Sequence, residues 1–558
     1  VTGANSRVLG FALGPEVWFR IGMTVPDPAS IETLGLSDLR TLVGTLIEQM
    51  QRLSAENGQL RAENQVLRDE IARLKGLPPR PPMRQTPSGM EKATGATKTP
   101  GPVRRRGPVQ ERCALTREVV LSVATPPGSQ FKGYQDVVVR DLVLEACVTR
   151  YRRERWRMPS GETLVAPLPT GVAGGFGPHL RRFLLAAHVQ GQVTTERLCA
   201  LLSGLGVPIS KRQVVRLLTG RLDVVLAEDE AVLRAGLAGA RWISVDDTAA
   251  RHARADGITT QIGNDCFTVF RTGTSKSRLN FLSLLRAGHP DYVINAAALA
   301  YMKERGLSGP LRAALSAHPS QSFPDEAAWR AHLTRLGVDA QTIVLDPVTI
   351  ATEGALWGAV VHHGLLQDSV IVSDDAGQFR VGTHALCWVH AERLVHKLIP
   401  TTPSQATVIA RQRERIWELY GDLKAYARAP CERAATDLRA RFDRIFTAST
   451  GMVMLDRLLT RLHRNKAELL RVLERPEIPL HTNGSENDIR ACVTKRRISG
   501  GTMSMAGRRA RDALLGLMKT CAKLGISFVR YLGDRLGIPD DGPPIPPLAD
   551  LVRQPTPA

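Results

Sequence analysis

Three acidic positions carry the chemistry this sequence can offer. Asp246 closes a short β-like run at Arg241–Val245 and is followed by Asp247-Thr248. Asp374 closes a second run at Ser369–Ser373 and opens Asp374-Asp375-Ala376-Gly377. Glu486 stands in His481-Thr482-Asn483-Gly484-Ser485-Glu486-Asn487-Asp488-Ile489-Arg490, at the start of a long helical pattern. Carboxylates leaving adjacent strand ends of an α/β sheet are placed to share divalent metal. Two hard cations held about 4 Å apart by three such groups activate a water or a 3′-hydroxyl and stabilise the leaving oxygen. Phosphodiester cleavage and strand transfer need that chemistry. Each acid also has an ordinary reading. The two Asp pairs can be simple turns, and Asn483…Glu486 is a serviceable helix capping box. Asp247 and Asp375 stand as alternatives to their neighbours, and spacing alone does not decide.

The segments between the acids must bring them together. Asp246 and Asp374 are 128 residues apart, and Asp374 and Glu486 are 112 apart. The first gap holds an Ala- and Leu-rich stretch, Pro290–Val338, that reads as a helical excursion before Ala351–His363 re-enters the core. The second gap holds the amphipathic patterns Ser404–Phe446 and Met452–Glu474. Beyond Glu486, the cations Arg490, Lys495, Arg496 and Arg497 stand where a bound phosphate backbone would pass, or else form a solvated helix face. Cys387 and His390 lie at i and i+3, too few to make a metal site, and read as support behind Asp374.

Upstream of the acids lie segments suited to DNA. Thr194–Leu202 and Ser210–Leu218 read as short amphipathic helices joined at Gly204-Leu205-Gly206, with Ser210 capping the second. Lys211, Arg212 and Arg216 are then available to a groove, although plain helical packing explains the same pattern. From Arg117 to Pro169 the pattern turns strand-like at Val119–Leu121, Val137–Val139 and Leu142–Leu144. There, Arg152 and Arg153 lie between Tyr151 and Trp156, a combination of phosphate-binding and base-stacking groups.

The front of the chain reads as a dimerisation helix. Leu39, Leu46, Leu53, Leu60, Leu67 and Leu74 recur at intervals of seven, which is the seam of a coiled coil. Asn57 and Asn64 at the companion seam positions favour an in-register parallel pair. A Pro- and basic-rich linker follows, with Arg104, Arg105 and Arg106 suited to a narrow minor groove or to a solvated spacer.

Composition narrows the class. The 558 residues carry 74 Lys+Arg against 54 Asp+Glu, a net charge of +20, which fits a polyanionic partner such as nucleic acid. Eight scattered cysteines without a C-x-x-C argue against a disulfide scaffold or zinc ribbon and fit a reducing cytosol. The longest apolar run, near Val293–Met302, is too short to cross a bilayer, so no membrane partner is expected. The absence of P-loop and H-E-x-x-H patterns removes the simplest ATPase and zinc-protease readings.

The order of these parts resembles the insertion-sequence-66 family of bacterial transposases. The resemblance rests on Asp246-Asp247-Thr248, Ser373-Asp374-Asp375-Ala376-Gly377, Cys387-Trp388-Val389-His390-Ala391-Glu392-Arg393 and Asn483-Gly484-Ser485-Glu486-Asn487-Asp488-Ile489-Arg490. It covers about residues 31–535. The expected layout is a multidomain chain: a disordered extension (1–30), read from the residues themselves, then a leucine-zipper coiled coil (31–76), a basic linker (77–112) and a small β-rich module (113–169). A helical DNA-binding segment (170–236), an α/β RNase H-like DDE core with helical insertions (237–535) and a Pro-rich tail (536–558) complete it. Asp246, Asp374 and Glu486 are then the catalytic acids and the ligands of two Mg²⁺ or Mn²⁺ ions. Many members carry C-x-x-C pairs after the linker. This chain retains only Cys113 and Cys147 there, so no zinc is expected. Partners implied are double-stranded DNA at transposon ends and target, a second copy of the chain in a homodimer or higher oligomer, and small accessory proteins encoded alongside. The expected setting is the bacterial cytoplasm, at the nucleoid. A non-catalytic zipper-dimer DNA-binding protein, or an inactive transposase relative, is the alternative reading.

Overall fold

The computed structural model describes residues 117–553 apart from 170, 171, 173, 174, 339–345 and 541, with a few scattered positions between 44 and 55. The heptad leucines, Asn57, Asn64 and Arg104–Arg106 lie outside the described residues. The chain divides into Val1–Thr86 and Pro87–Ala558, and the second unit is the one described here.

The strands expected near 119, 137 and 142 do not form. Residues 117–154 have no regular structure, and Val119, Leu121, Val137, Val139 and Leu142 are exposed. Runs of consecutive valines lack the strict alternation of a half-buried strand, and among the described residues no second layer covers these side chains. Only β1 (Arg155–Arg157) and β2 (Thr163–Val165) pair, antiparallel, in this module.

Four helices follow: α1 (Pro178–Val189), α2 (Thr195–Gly204), α3 (Lys211–Thr219) and α4 (Asp223–Gly239). The two-helix reading at 194–218 matches α2 and α3 closely. Thr194 caps α2, accepting from Arg197 N at 3.3 Å. Ser210 caps α3 through a full capping box with Gln213, at 3.3 Å and 3.0 Å. Val214, Leu217 and Leu218 turn inward, leaving Lys211, Arg212 and Arg216 exposed.

A mixed five-stranded sheet comes next. β3 (Trp242–His252), β4 (Ala255–Gly263) and β5 (Thr268–Gly273) form an antiparallel meander. Helix α5 (Arg278–Leu285) leads to the expected excursion, made of β6 (Tyr292–Val293), α6 (Ala296–Glu304), α7 (Gly309–Ala317), β7 (Ser322–Phe323) and α8 (Glu326–Arg335). Helix α9 (Pro347–His362) then returns the chain to β8 (Val370–Ser373) and β9 (Thr383–Leu386). The strand order is β5-β4-β3-β8-β9, with β8 parallel to both β3 and β9.

The sheet is covered on both sides. Ile371 of β8 joins a cluster containing Ile243, Val245 and Phe267, whereas Val370 and Val372 join Trp388, Leu419 and Phe442. A short parallel strand buried on two faces reads as the continuous apolar run seen here. The second cluster is built by α10 (Trp388–His396), α11 (Pro403–Arg428), α12 (Glu432–Phe446), α13 (Val453–Arg464) and α14 (Lys466–Leu469). The chain closes with α15 (Asn483–Ser499), α16 (Met505–Lys523), α17 (Phe528–Arg535) and α18 (Leu548–Arg553).

Packing runs across the expected boundary at 236/237. Leu184, Leu198 and Val214 of the helical segment share one hydrophobic cluster with Ile243 and Phe267 of the sheet, so 236/237 is a connection within one core. Described residues of the Pro-rich tail pack as well. Leu548 is fully buried, and its backbone N–H donates to Glu228 Oε1 at 3.0 Å. Arg535 and Tyr531 complete the same carboxylate, at 2.8 Å and 2.7 Å.

Candidate active site

The sheet register brings the two aspartates near each other. Trp242 pairs with Val370 and Ser244 with Val372, in parallel. Asp246 and Asp374 each stand two residues beyond the last parallel pair, close enough for Asp374 to act electrostatically on Asp246. Side chains two apart share a strand face, so both acids lie on the face of Ser244 and Val372. The parallel pairing stops at Ser244, whereas β3 runs on to His252 in partnership with β4. Asp246 is therefore not a turn residue. It sits within a long strand, where its parallel neighbour ends.

Glu486 arrives from a different direction. α15 begins at Asn483 with Thr482 at its N-cap and no side-chain cap, so Glu486 is not the closing residue of a capping box. Ser485, buried beside it, donates through Oγ to Ser244 Oγ at 2.5 Å. Glu486 Oε1 lies 3.5 Å from His390 Nε2 and 3.6 Å from Arg393 Nη2, both on α10.

The neighbouring aspartates are occupied elsewhere. Asp247 meets Lys276 Nζ at 2.7 Å and Gln378 Nε2 at 2.8 Å. Asp375 is bound by Arg380 and Arg461. Asp246 and Asp374 instead hold backbone amides. Asp246 Oδ1 accepts from Asp247 N at 2.7 Å, and Asp374 Oδ1 accepts from Ala376 N at 3.1 Å. Burial pushes the Asp246 carboxyl up, the Asp247 amide pulls it down and Asp374 pushes it up again, to about 6.

Cys387 and His390 form a coupled pair at the start of α10. Burial lowers the His390 imidazole, but the adjoining Cys387 sulfur outweighs it and raises the value to about 9. Burial likewise works to raise the Cys387 thiol, and His390 brings it below the usual range. His390 Nε2 is turned toward Glu486 Oε1, and the same side chain lines the pocket beside Asp374. A pocket of about 280 Å³ opens beside Asp374, lined by His390, Arg393, Lys397 and Arg461 among others.

The expected DNA-facing cations separate into two kinds. Arg152, Arg153, Arg490 and Arg497 are exposed, and half-buried Arg496 reaches Thr248 Oγ1 at 3.4 Å. Lys495 is a correction: it is only 4 % exposed, and its Nζ donates to the His188 carbonyl at 2.5 Å. A helical pattern reveals which cations share a face, but not that α1 covers this one. Lys276, Gln378, Arg380, Arg393 and Arg461 also act around the acids and were not singled out by sequence. Of these, only Arg393 carried a signal, through its place in the Cys387–Arg393 stretch.

A mixed five-stranded sheet with acidic residues at and beyond its central strands, flanked by helices rich in cations, is the frame of this protein. Residues 364–510 match the sequence model described as "Transposase IS66 family". An uncharacterized protein, y4jO of Sinorhizobium fredii, is 55% identical over 323 residues, covering 58% of this chain and 99% of its own length. The chain belongs to the IS66 family of transposases. No helix among the described residues is long and apolar enough to cross a membrane.

Proposed function

We propose that the chain is a DDE-type transposase that binds the terminal inverted repeats of an insertion sequence and cleaves and joins DNA strands in a metal-dependent reaction. The observation that supports this reading is the parallel pairing of β3 with β8, whose last pair, Ser244–Val372, lies two residues before Asp246 and Asp374. Glu486 is held near them by the Ser485–Ser244 bond. The sheet order, an antiparallel meander followed by two strands parallel to its first, is the arrangement expected of an RNase H-like core.

The donor set fits the ions this reading requires. Three carboxylates suit Mg²⁺ or Mn²⁺ rather than a softer metal. Gln261, opposite Asp246 on β4, is fully buried, and neither polar atom of its amide has a protein partner among the described residues. When bound, a pair of such ions activates the attacking oxygen and stabilises the leaving one. Asp246, Asp374 and Glu486 would hold them.

The remaining groups bind and orient. His390 and Arg393 steady Glu486, and Arg393, Lys397 and Arg461 beside Asp374 draw in the phosphate backbone. Lys211, Arg212 and Arg216 on the capped helix α3 are presented to a groove. Water breaks the bond from phosphorus to the 3′-oxygen. The freed 3′-hydroxyl then displaces a 3′-oxygen in target DNA, with no covalent enzyme intermediate and no ATP. The zipper at 31–76 pairs two copies, and small accessory proteins complete the assembly.

The test is a nicking and strand-transfer assay on DNA bearing candidate element ends, with Mg²⁺ or Mn²⁺, comparing the wild type with Glu486→Gln. Metal-dependent cutting and joining that the substitution removes supports the reading. Tight end binding without cleavage by either protein, even with accessory proteins present, favours a non-catalytic DNA-binding relative.

A further inference from the structure

The excursion between β5 and β8 contains a second cluster of ligating side chains. His289 and Asp291 lie on the loop after α5, and His363 is the C-cap of α9. One ligand atom from each of the three lies within 4.8 Å of the others. His363 Nε2 is 2.9 Å from both Asp291 carboxylate oxygens. The His289 ring stacks on the His363 ring, with centroids 3.6 Å apart and planes 9° from parallel.

The loop is shaped to produce this arrangement. Ala287 and Gly288 are both left-handed, with φ of 51° and 91°, and Ala287 is buried. The left-handed region is unfavourable for a non-glycine residue, so the surroundings must enforce the turn that brings His289 over His363. Arg286 braces the loop through its backbone, donating to the carbonyls of Pro290 and Asp291 at 2.8 Å each. The Asp291 carboxylate itself faces His363. Side-chain exposures of 22% for His363 and 17% for Asp291 leave the cluster half-buried but open to water.

A surface His–Asp pair accounts for His363 and Asp291 alone. A strained turn brings a second imidazole to the same place; its ring, stacked parallel on His363, turns about its side-chain bonds to aim a nitrogen at an ion held by His363 and Asp291, since a metal lies in the plane of each imidazole that binds it. We propose that His289, Asp291 and His363 bind one borderline divalent cation of the Zn²⁺ class, with water at the fourth position. Two imidazole nitrogens and one carboxylate oxygen make a three-ligand set typical of zinc sites with an open position. The nitrogens select Zn²⁺ or Co²⁺ over Mg²⁺. This site is separate from the three acids and runs against the expectation of a zinc-free chain.

Its consequence is mechanical. His363 precedes β8 by seven positions, and β8 leads directly into Asp374. An ion at the cluster would fasten the α9 end to the α5 loop and so brace the approach to that strand.

The experiment uses the full-length, untagged chain stripped of metal and titrated with Co²⁺ and then Zn²⁺. The expected result is one equivalent of Co²⁺ with the visible absorption of a four-coordinate site, displaced by Zn²⁺, and a Zn²⁺-dependent rise in Tm. His289→Ala and His363→Ala should each lose that equivalent and that rise, whereas Asp246→Asn with Glu486→Gln should keep both. Metal-free melting curves matching the wild type separate loss of a ligand from loss of the fold, with His363→Gln replacing any variant that melts early. Unchanged cobalt stoichiometry in both histidine variants, or no binding by folded wild type, overturns the proposal.

Discussion

Ser485 Oγ donates to Ser244 Oγ at 2.5 Å, joining two residues 241 positions apart in the chain. Each serine stands next to the chemistry: Ser485 precedes Glu486, and Ser244 is two residues before Asp246 on the same strand face. Both are buried. One hydroxyl pair thus sets the position of the helix-borne acid against the strand-borne one.

Ser244→Ala takes from the Ser485 hydroxyl its partner in the interior, whereas Ser485→Ala leaves the Ser244 hydroxyl with its longer bond to the Gly263 carbonyl at 3.3 Å. Ser244→Ala or Ser485→Ala should each cost about 1–3 kcal/mol of stability. The double substitution should cost less than the sum, because no orphaned hydroxyl remains. Denaturant melts of the four proteins check this, and strand-transfer rates should fall in both single variants. Additive costs would show that the two hydroxyls are independent.

The carboxylate assignments separate by kind of damage. Asp246→Asn, Asp374→Asn and Glu486→Gln should each reduce cleavage by about two to three orders of magnitude or more, with end binding retained. Asp375→Asn should act first on stability, since it leaves Arg380 and Arg461 without their shared partner. If Asp375→Asn proves catalytically dead at normal stability, the ligand is Asp375.

The cations beyond Glu486 should sort by salt dependence. Arg497→Ala is expected to weaken DNA binding and lower the slope of log K against log salt by about one. Lys495→Met should leave that slope unchanged, because its ammonium is directed at the His188 carbonyl rather than at solvent. Fluorescence anisotropy at several salt concentrations measures both. Equal slope changes would place Lys495 on the DNA surface.

His188 provides a pH signature. Burial, reinforced by Lys495 and opposed by the Val193 carbonyl, lowers its pKa from 6.5 to about 4. The folded state then binds fewer protons than the unfolded chain between those values, so stability rises with pH across that window. The contribution is fully present above 6.5 and is lost as pH falls toward 4. Melting temperatures at neutral and mildly acidic pH should therefore differ less in His188→Gln than in the wild type. An identical pH dependence would count against the buried neutral imidazole.

What the sequence determined by itself was local. The capped helix pair at 194–218, the helical excursion after Pro290 and the three acid-bearing motifs could be read because caps, turns and apolar periods act over a few residues. Tertiary structure decided the rest. Whether Asp246 or Asp247 is free of a cation depends on Lys276 and Gln378, and the same holds for Asp374 or Asp375 through Arg380 and Arg461. Lys495 became an interior group because α1 packs over it, and 536–553 became part of the core because Leu548 found Glu228. The valine runs at 119–144 show the converse, since β-forming composition without a facing layer produced no sheet. Spacing along a chain specifies which side chains share a face. Only packing between distant segments specifies what that face meets, and at this site the partner determines whether a carboxylate is taken up by a cationic side chain.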